Sequence, residues 1–165
     1  MQAPHEVPLG KGQFVLCDFG AYYHKYASDL TRTWIRGPAT KEMRDIYDTV
    51  LRAENAALAA VRAGAKGGDV HLAAERVIDA SPWKGRFIHS VGHSLGLAVH
   101  DGPALHPRFD WTLEEGMVVT IEPGQTASLM VPLSAPDKAR IVNRPRIFAD
   151  PATGELNALW RGGNH

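Results

Sequence analysis

Three histidines, His89, His93 and His100, lie within the short segment HSVGHSLGLAVHDGP (89–103). Histidine is the commonest metal ligand in proteins and the usual general base near neutral pH. Glycines separate these histidines, and an acid follows the last of them. The clustering therefore predicts a metal site or a general base, and either one requires carboxylates from other parts of the chain.

Two aspartates are the first carboxylate candidates. Asp18 stands inside the apolar run FVLCDFG, where an unpaired charge would cost several kcal/mol. Asp29 follows in YASDLTR, on a segment that we expect to pair with that run. Two acids so close repel each other, and a divalent cation would neutralise both. The alternative is that Asp18 pairs with Arg32 or Lys25, or accepts backbone hydrogen bonds, with no metal present.

Glu122 is the third carboxylate candidate. It ends the apolar, strand-like segment MVVTIEPG (117–124), and alone it would be typical of a solvated acid at a sheet edge. Together with Asp18, Asp29 and His93 it forms an oxygen-rich ligand set that suits Mn, Fe, Co or Zn. Carboxylates that can bridge favour a two-metal centre, which generates hydroxide and polarises a carbonyl at neutral pH.

The strands that must position these residues are predicted from apolar runs. Residues 13–23 (QFVLCDFGAYY) read as a buried strand, and residues 25–37 read as its antiparallel hairpin partner. Residues 125–145 have no clean period and read as a loop. Later strand-like segments, the last two of them weaker, are 86–90, 95–100, 117–124, 145–150 and 155–160.

Two helices are predicted between the hairpin and the later strands. Thr40 is the expected N-cap of the first, which should run to Gly64, and Asp69 is the expected cap of the second, which should end before Ser81. The apolar residues at helical spacing in the first helix are Met43, Ile46, Tyr47, Val50, Leu51, Leu58 and Val61. This order of elements predicts an α+β fold, with helices on one face of a mainly antiparallel sheet.

Composition narrows the class of protein. The 165 residues match one domain (1–165), and 18 basic against 18 acidic residues create no field that would attract nucleic acid or an anionic membrane. No apolar run reaches the roughly 18 residues of a spanning helix, and the start has no signal-peptide pattern. The single Cys17 suits a reducing compartment, so we expect a cytoplasmic protein.

Three motifs in a fixed order carry a family resemblance. DFGAYYHKYASDLTRT, HSVGHSLGLAVHDGP and LEEGMVVTIEPG together resemble the pita-bread metallopeptidases, which include methionine aminopeptidases, Xaa-Pro aminopeptidases, prolidases and creatinase. The forms GHSLGLAVHD and SDLTRT are most similar to the Xaa-Pro branch, and the resemblance covers roughly residues 3–124. It implies a partial pita-bread fold, with a curved antiparallel sheet and helices on its outer face.

The resemblance also implies a metal-ligand set. Asp18 would chelate one metal, Asp29 would bridge both, and His93 would bind the second. Glu122 would be a ligand beside the attacking water and would move its proton. Two ions of Mn(II), Co(II) or Zn(II) are implied for the family.

Further residues receive roles from the same resemblance. His89 and His100 would line the substrate pocket, and one of them would stabilise the oxyanion; the alternative is that they satisfy backbone groups in the core. His5, in APHEVP, resembles another pocket histidine, and Thr31 and Arg32 would hold Asp29. The histidines that match no motif and are expected at the surface are His24, His71, His106 and His165.

The sequence departs from the family pattern at both ends. The resemblance implies preceding helices and a strand, so we expect part of the N-terminal half to be missing and residues 125–165 to be divergent. Where the family strand reads close to VRIED, this chain has RPRIFAD, with Phe148 at the position of the bridging Glu. Asp150, two residues further on, would share its face and could replace it; otherwise one metal binds weakly or none binds.

The resemblance implies a metal-dependent exopeptidase that hydrolyses Xaa-Pro bonds at the N-terminus of peptides or in dipeptides, through a metal-bound hydroxide. Its partner would be a peptide with proline at the second position, and self-association into a homodimer is a further expectation, because missing helices would expose sheet surface. The alternative is a metallopeptidase-like binding module, or an inactive remnant with an incomplete metal site. A third reading, coincidental acids and histidines in an ordinary domain, would have to explain all three motifs in the right order.

Overall fold

An antiparallel hairpin opens the fold in the computed structural model. The model describes residues 11–123 and, by backbone alone, 131–132, 146–149 and 156–159. Strand β1 (Phe14–Phe19) pairs with β4 (Leu30–Ile35), and this register sets Asp18 opposite Thr31. The predicted antiparallel partnership of these two segments is therefore confirmed.

Two very short strands complete the hairpin. β2 (Tyr22–Tyr23) and β3 (Tyr26–Ala27) pair with each other between the long strands. His24 and Lys25 join them with positive φ angles of 48° and 73°, as a tight two-residue turn between strands requires. The bend brings the backbone after β1 back toward the start of β4.

Strand β1 is not buried, so that part of the prediction was wrong. Phe14, Leu16 and Phe19 are 36%, 39% and 54% exposed. The apolar run indicates a strand correctly because its residues favour extended backbone. Composition alone does not tell which neighbours cover the two faces of that strand, and the described residues leave both faces largely open.

Helix α1 (Lys41–Ala60) begins as predicted. The Thr40 hydroxyl accepts a hydrogen bond from the Met43 amide at 3.2 Å, which satisfies a backbone donor of the first turn. The helix ends at Ala60, earlier than the predicted stop at Gly64. The residues of α1 that are buried are Thr49, Ala53, Glu54 and Ala57.

The predicted apolar face of α1 was partly wrong. Tyr47 and Leu51 are 39% and 37% exposed, whereas Ala53 and Ala57 are fully buried. Small side chains permit close approach of the second helix, which packs against α1. Helix packing is decided by the fit between two surfaces, and the largest apolar residues do not always lie at the contact.

Helix α2 (Gly67–Asp79) begins before the predicted cap. Lys66 is the N-cap and makes no side-chain capping hydrogen bond, while Asp69 lies within the first turn, where its charge suits the helix dipole. The backbone amide of Gly67 donates instead to the Trp111 carbonyl oxygen at 3.1 Å. A tertiary contact therefore sets the start of α2, and the prediction of Asp69 as the cap was wrong. The helix ends before Ser81, as predicted.

The segment after α2 is mostly irregular, and the strands predicted at 86–90 and 95–100 do not form. Isolated bridges join His93 to Ala104 and Ser94 to Val119, and β5 (Val118–Val119) is the only strand within 117–123. Gly92 lies between the segments 86–90 and 95–100, and a Cβ at that position would overlap the Thr120 carbonyl oxygen.

Three later strands are described by their backbone. β6 (Val131–Pro132) pairs with β5, so the predicted loop at 125–145 includes a short strand. β7 (Arg146–Ala149) pairs with β8 (Leu156–Leu159), which confirms strands at 145–150 and 155–160. Every described strand pair is antiparallel, and the α+β class is confirmed.

The core joins the helices to the segments that carry the candidate site. Its buried members are Ala53, Ala57, Ala65, Val70, Ala74, Ile78, Val91, Leu105, Leu113, Val119 and Ile121. Val91 lies two residues before His93 and Ile121 immediately before Glu122, so core packing fixes the backbone beside the site. Among the helices of the described residues, none is both long enough and apolar enough to cross a membrane.

Candidate metal centre

Three of the predicted ligands converge. The Nε2 atom of His93 lies 3.2 Å from Oδ2 of Asp29 and 3.3 Å from Oε1 of Glu122. One ligand atom from each residue lies within 4.8 Å of the others. Asp29 and His93 are buried, at 8% and 7% exposure. The cluster of these three residues is called the triad below.

Paired backbone segments position His93 and Glu122. The amide of His93 donates to Thr120 Oγ1 at 3.0 Å, and the amide of Thr120 donates to the His93 carbonyl oxygen at 2.8 Å. The amide of Glu122 donates to the Val91 carbonyl oxygen at 2.5 Å. Two short stretches of chain are thus bonded side by side, and each presents one member of the triad.

Asp29 reaches the triad from the hairpin. It lies between β3 and β4, and two residues before it the Ala27 amide donates to the Gly96 carbonyl oxygen at 2.8 Å. Gly96 belongs to the histidine-rich segment, so this bond joins the hairpin to the loop that carries His93. The turn at β2–β3 directs Asp29 toward the site.

The hydrogen bond on the other nitrogen of His93 defines its chemistry. Nδ1 donates to the Ser94 carbonyl oxygen at 3.0 Å. In the neutral ring Nε2 then carries a lone pair, which faces the oxygen atoms of Asp29 and Glu122. Lone pairs so close repel each other unless a proton or a cation lies between them. This arrangement, in which a backbone carbonyl orients the imidazole, is typical of metal-ligating histidines.

The charges of the triad are strongly coupled. Burial raises the pKa of Asp29, and the neighbouring carboxylates of Glu122 and Asp18 raise it further. Burial alone would lower the pKa of His93, but contacts with Glu122, the Ser94 carbonyl and Asp29 outweigh burial and raise it. Burial disfavours the charged form of Glu122 as well, yet the His93 ring and the Thr120 hydroxyl lower its pKa overall.

One carboxylate atom of the triad is buried without a hydrogen-bond partner. Glu122 Oε1 lies 3.3 Å from His93 Nε2 but accepts no hydrogen bond from any described residue. An orphaned buried carboxylate oxygen is costly unless a cation compensates it. Two carboxylates and one imidazole form a donor set that Mn(II), Co(II) and Zn(II) accept, so the residues present fit a divalent cation.

Asp18 lies near the triad but outside it. Its Oδ1 accepts a hydrogen bond from the Thr31 hydroxyl at 2.9 Å, across the β1–β4 pair. Thr31 therefore holds Asp18 rather than Asp29, and the prediction for Thr31 was wrong. Nη1 of Arg32 donates to the Thr31 carbonyl oxygen at 2.7 Å.

A cavity of about 400 Å³ brings the six described candidates together. They are Asp18, Asp29, His89, His93, His100 and Glu122. The rings of His93 and His100 lie 4.2 Å apart between centroids. Nδ1 of His89 donates to the Ser90 carbonyl oxygen at 2.8 Å, so Nε2 of its neutral ring is an acceptor. The roles assigned to these residues remain predictions.

Two predicted candidates cannot be placed. His5 and Asp150 lie outside the described residues. Phe148, at the position where the family pattern has a glutamate, lies on β7 with its backbone opposite Asn157. The replacement of the bridging glutamate by Asp150 therefore stays a prediction.

His71 is a buried residue that the sequence reasoning missed. It is 3% exposed, so the prediction of a surface position was wrong, whereas His24 is exposed as predicted. His106 is half-buried against His71, and His165 lies outside the described residues. The signal was present, because residue 71 shares helical spacing with the buried Ala74 and Ile78.

Comparison with known sequences places these features in a family. A family model described as metallopeptidase family M24 matches residues 1–142. The Xaa-Pro dipeptidase of Pyrococcus furiosus is 38% identical over 125 residues, which are 73% of this chain and 36% of that protein. An uncharacterized peptidase of Bacillus subtilis, YqhT, is 40% identical over 125 residues, with 73% and 35% covered. The chain spans about a third of the length of these relatives.

Solved structures share the fold. A prolidase from Thermococcus sibiricus superposes with a TM-score of 0.76 at 33% identity, covering 88% of this chain and 42% of that one. An X-Pro aminopeptidase from Thermotoga maritima has a TM-score of 0.67 at 33% identity, with 75% and 38% covered. The N-terminal domain of the FACT complex subunit SPT16 from chickpea, at 19% identity and a TM-score of 0.66, covers 78% of this chain and 34% of its own and shares the fold alone.

Proposed function

The chain belongs to metallopeptidase family M24, and on that premise we propose that it carries the metal site of an exopeptidase acting on Xaa-Pro bonds. The bond would lie at the N-terminus of a peptide or within a dipeptide. The observation that carries this proposal is the triad of Asp29, His93 and Glu122 in a cavity with two further histidines. Relatives named Xaa-Pro dipeptidase and prolidase support the substrate class.

Asp29, His93 and Glu122 would hold the cation. A bound divalent ion would supply Lewis acidity, which lowers the pKa of water and polarises a carbonyl. The orphaned Oε1 of Glu122 and the lone pair on Nε2 of His93 are the atoms that most require a positive charge. Mn(II), Co(II) and Zn(II) all suit this donor set.

Glu122 is the residue to which we assign proton transfer. Its Oε1 is buried and accepts no hydrogen bond from the described residues, and the carboxylate oxygen that does not hold the cation would take a proton from an attacking water. Its pKa is lowered overall, because the His93 ring and the Thr120 hydroxyl outweigh the effect of burial, so the carboxylate is ionised and ready to act as a base.

The two cavity histidines differ in what they can donate. The Nδ1 proton of His89 is committed to the Ser90 carbonyl oxygen, so its neutral ring offers Nε2 as an acceptor for a substrate N–H group. His100 lies against the His93 ring at the same cavity and is the better candidate to donate to the scissile carbonyl and its oxyanion. We therefore divide the predicted roles between them.

The cavity also offers an apolar wall for the substrate. Phe19, Tyr22 and Val99 line it beside the charged triad. An imino-acid ring is compact and apolar, and aromatic side chains provide a rigid surface for such a ring. A dipeptide with proline at the second position would place its ring on this wall and its scissile bond at the triad.

Hydrolysis by the metal-loaded chain tests the proposal. The chain is stripped with a chelator, reloaded with Mn(II) or Co(II), and assayed on Ala-Pro with Ala-Gly as the comparison. We expect metal-dependent cleavage of Ala-Pro and a loss of at least roughly 100-fold in Glu122→Gln, since general base catalysis contributes that much. Glu115→Gln, at an exposed glutamate in the segment that leads to Glu122, is the matched control. Cleavage that survives chelation would contradict the proposal.

One observation favours a second candidate function, a metal-binding module without turnover. Asp18 hydrogen-bonds to Thr31 and is not among the converging ligand atoms of the described residues, which therefore form a site for one cation. A single ion is less able than two ions to activate water and to polarise the substrate carbonyl at the same time. Stoichiometric metal binding with no cleavage of Ala-Pro would favour this second candidate over the first.

A further inference from the structure

His71 lies on α2, away from the cavity that holds the triad, and is enclosed by aromatic rings. Its side chain is 3% exposed. The Phe87 ring stacks on it with centroids 4.8 Å apart and planes inclined by 19°. His106 covers a second side, at 4.5 Å between centroids. A polar ring buried this deeply requires a hydrogen-bond partner, and one is present.

The partner is the backbone of Val91. Nδ1 of His71 accepts the Val91 amide proton at 3.2 Å, and the same amide is shared with the Leu105 carbonyl oxygen at 3.3 Å. An imidazole nitrogen that accepts must carry a lone pair, so the proton of the neutral ring is on Nε2. Nε2 is 3.9 Å from Oε1 of Glu75, one helical turn along α2.

The surroundings keep this lone pair available. Burial, followed by the nearby His106 and His89, lowers the pKa of His71 to about 4. The ring is therefore neutral near pH 7, and Nδ1 remains an acceptor. A charged imidazolium would donate from both nitrogens and could not accept the Val91 amide proton.

Val91 connects His71 to both halves of the site. Its carbonyl oxygen accepts the amide of Glu122 at 2.5 Å, and its own side chain is fully buried. Gly92 follows, packed against the Thr120 carbonyl oxygen, and the amide of His93 bonds to the Thr120 hydroxyl. The backbone that His71 holds thus carries one ligand two residues on and pairs directly with another.

We propose that His71 is a positioning residue for the metal centre, which holds the Val91 amide and so sets the separation of His93 from Glu122. The inference rests on the metal site proposed above. His71 touches neither the cation site nor the cavity, so its effect is transmitted through the Val91 peptide group. Outer groups that orient ligands in this way commonly change metal affinity tenfold or more.

Two substitutions separate the hydrogen bond from the packing. His71→Leu fills the site but removes the acceptor, whereas His71→Asn keeps an acceptor oxygen on a shorter side chain. Co(II) affinity is measured from visible absorption, and the free energy of unfolding of the metal-free protein is measured in urea. We expect His71→Leu to weaken Co(II) binding roughly tenfold, and His71→Asn to recover most of that loss. His24→Asn, at an exposed turn residue, should match the wild type.

Each outcome of the Co(II) experiment tests a different part of the inference. Equal Co(II) affinity in His71→Leu and wild type would overturn the role of His71. Equal weakening in His71→Leu and His71→Asn would do so too, since the acceptor would then not matter. Failure of the wild type to bind Co(II) would reject the metal centre itself, and with it any part for His71 in metal binding.

A measurement on the wild type covers the case in which His71→Leu does not fold. In the metal-free, ¹⁵N-labelled chain we expect a scalar coupling between the Val91 amide nitrogen and Nδ1 of His71, transmitted through their hydrogen bond. The imidazole shifts should report a proton on Nε2. Absence of the coupling, or a proton on Nδ1, would overturn the inference whether or not the chain hydrolyses peptides.

Discussion

His93 and Asp29 meet at 3.2 Å, Nε2 to Oδ2, although both helices separate them along the chain. The hairpin delivers Asp29, and the core-anchored loop after α2 delivers His93. A hydrogen bond from the Ala27 amide to the Gly96 carbonyl oxygen joins these two parts. Metal binding should therefore be coupled to the tertiary structure of the whole described region.

Removal of the imidazole ligand should abolish tight metal binding. In His93→Asn the imidazole lone pair facing Asp29 and Glu122 is lost, so we expect Co(II) affinity to fall by more than the roughly tenfold expected for a group that only orients a ligand. Isothermal titration calorimetry of the chelator-stripped chain measures this. His24→Asn is the matched control, because its left-handed turn position tolerates asparagine and lies outside the cavity lining. Unchanged affinity in His93→Asn would show that the triad is not the binding site.

Metal should stabilise the fold. A cation that binds the folded chain alone adds about 2.7 kcal/mol to the free energy of unfolding at 100 times its Kd. We expect urea unfolding of the wild type to show this gain with Mn(II) or Co(II). Asp29→Asn should show none, because it removes one charged ligand of the triad. Asp110→Asn, at an exposed acid paired with Lys66, should retain the gain; its loss there would point to non-specific effects of the ion.

Gly92 should be intolerant of any side chain. A Cβ at Gly92 would overlap the Thr120 carbonyl oxygen, so Gly92→Ala must separate the two segments that carry His93 and Glu122. We expect a loss of roughly 1–3 kcal/mol in stability, and weaker metal binding. Gly116→Ala is a control of similar cost, since Gly116 has φ +88° with open space around it. Metal binding should survive in that control and fail in Gly92→Ala.

Protonation of His71 should lower the stability of the protein at acidic pH. Its pKa is about 4 in the folded chain against 6.5 for the ordinary group, because burial disfavours the charged ring. Between pH 6.5 and pH 4, His71 is protonated in the unfolded chain but neutral in the folded chain. The free energy of unfolding therefore decreases as the pH falls through this range. The decrease should approach roughly 3 kcal/mol. His71→Asn should lack it, and urea titrations at several pH values measure the difference from wild type.

The pH dependence is controlled by comparing wild type with the two histidine variants. Other groups titrate over the same range, but they are common to both chains and cancel in the difference between wild type and His71→Asn. His24→Asn should follow the wild-type curve, since His24 is exposed. If the free energy of unfolding depended on pH in the same way in wild type and His71→Asn, His71 would not be buried as a neutral ring.

Local features of the fold were predictable from sequence because their causes are local. Thr40 caps α1 because its hydroxyl reaches an amide only three residues away. The hairpin follows from two apolar runs separated by a turn, and its register brings Asp18 opposite Thr31. The start of α2 was not predictable in this way, because the Gly67 amide bonds to Trp111, far along the chain.

Exposure and partners were decided by tertiary structure. The apolar character of β1 predicts a strand but not which face is covered, and Phe14 and Phe19 are exposed in the described residues. His71 looked like a surface histidine because no motif includes it, yet packing against Phe87 buries it. Thr31 was expected at Asp29, but strand register aims its hydroxyl at Asp18.

The sequence by itself indicated the family and the candidate ligands, because three motifs in a fixed order resemble that family and carry the acids and histidines from which metal sites are built. It also determined the helices, the hairpin and the α+β class, through local periodicity and turn residues. Only the tertiary structure decided how closely Asp29, His93 and Glu122 converge, that Asp18 accepts a hydrogen bond from Thr31, and that His71 hydrogen-bonds to the Val91 amide. Distances of 3 Å between residues remote in the chain depend on how strands register and helices pack, and no local pattern encodes them.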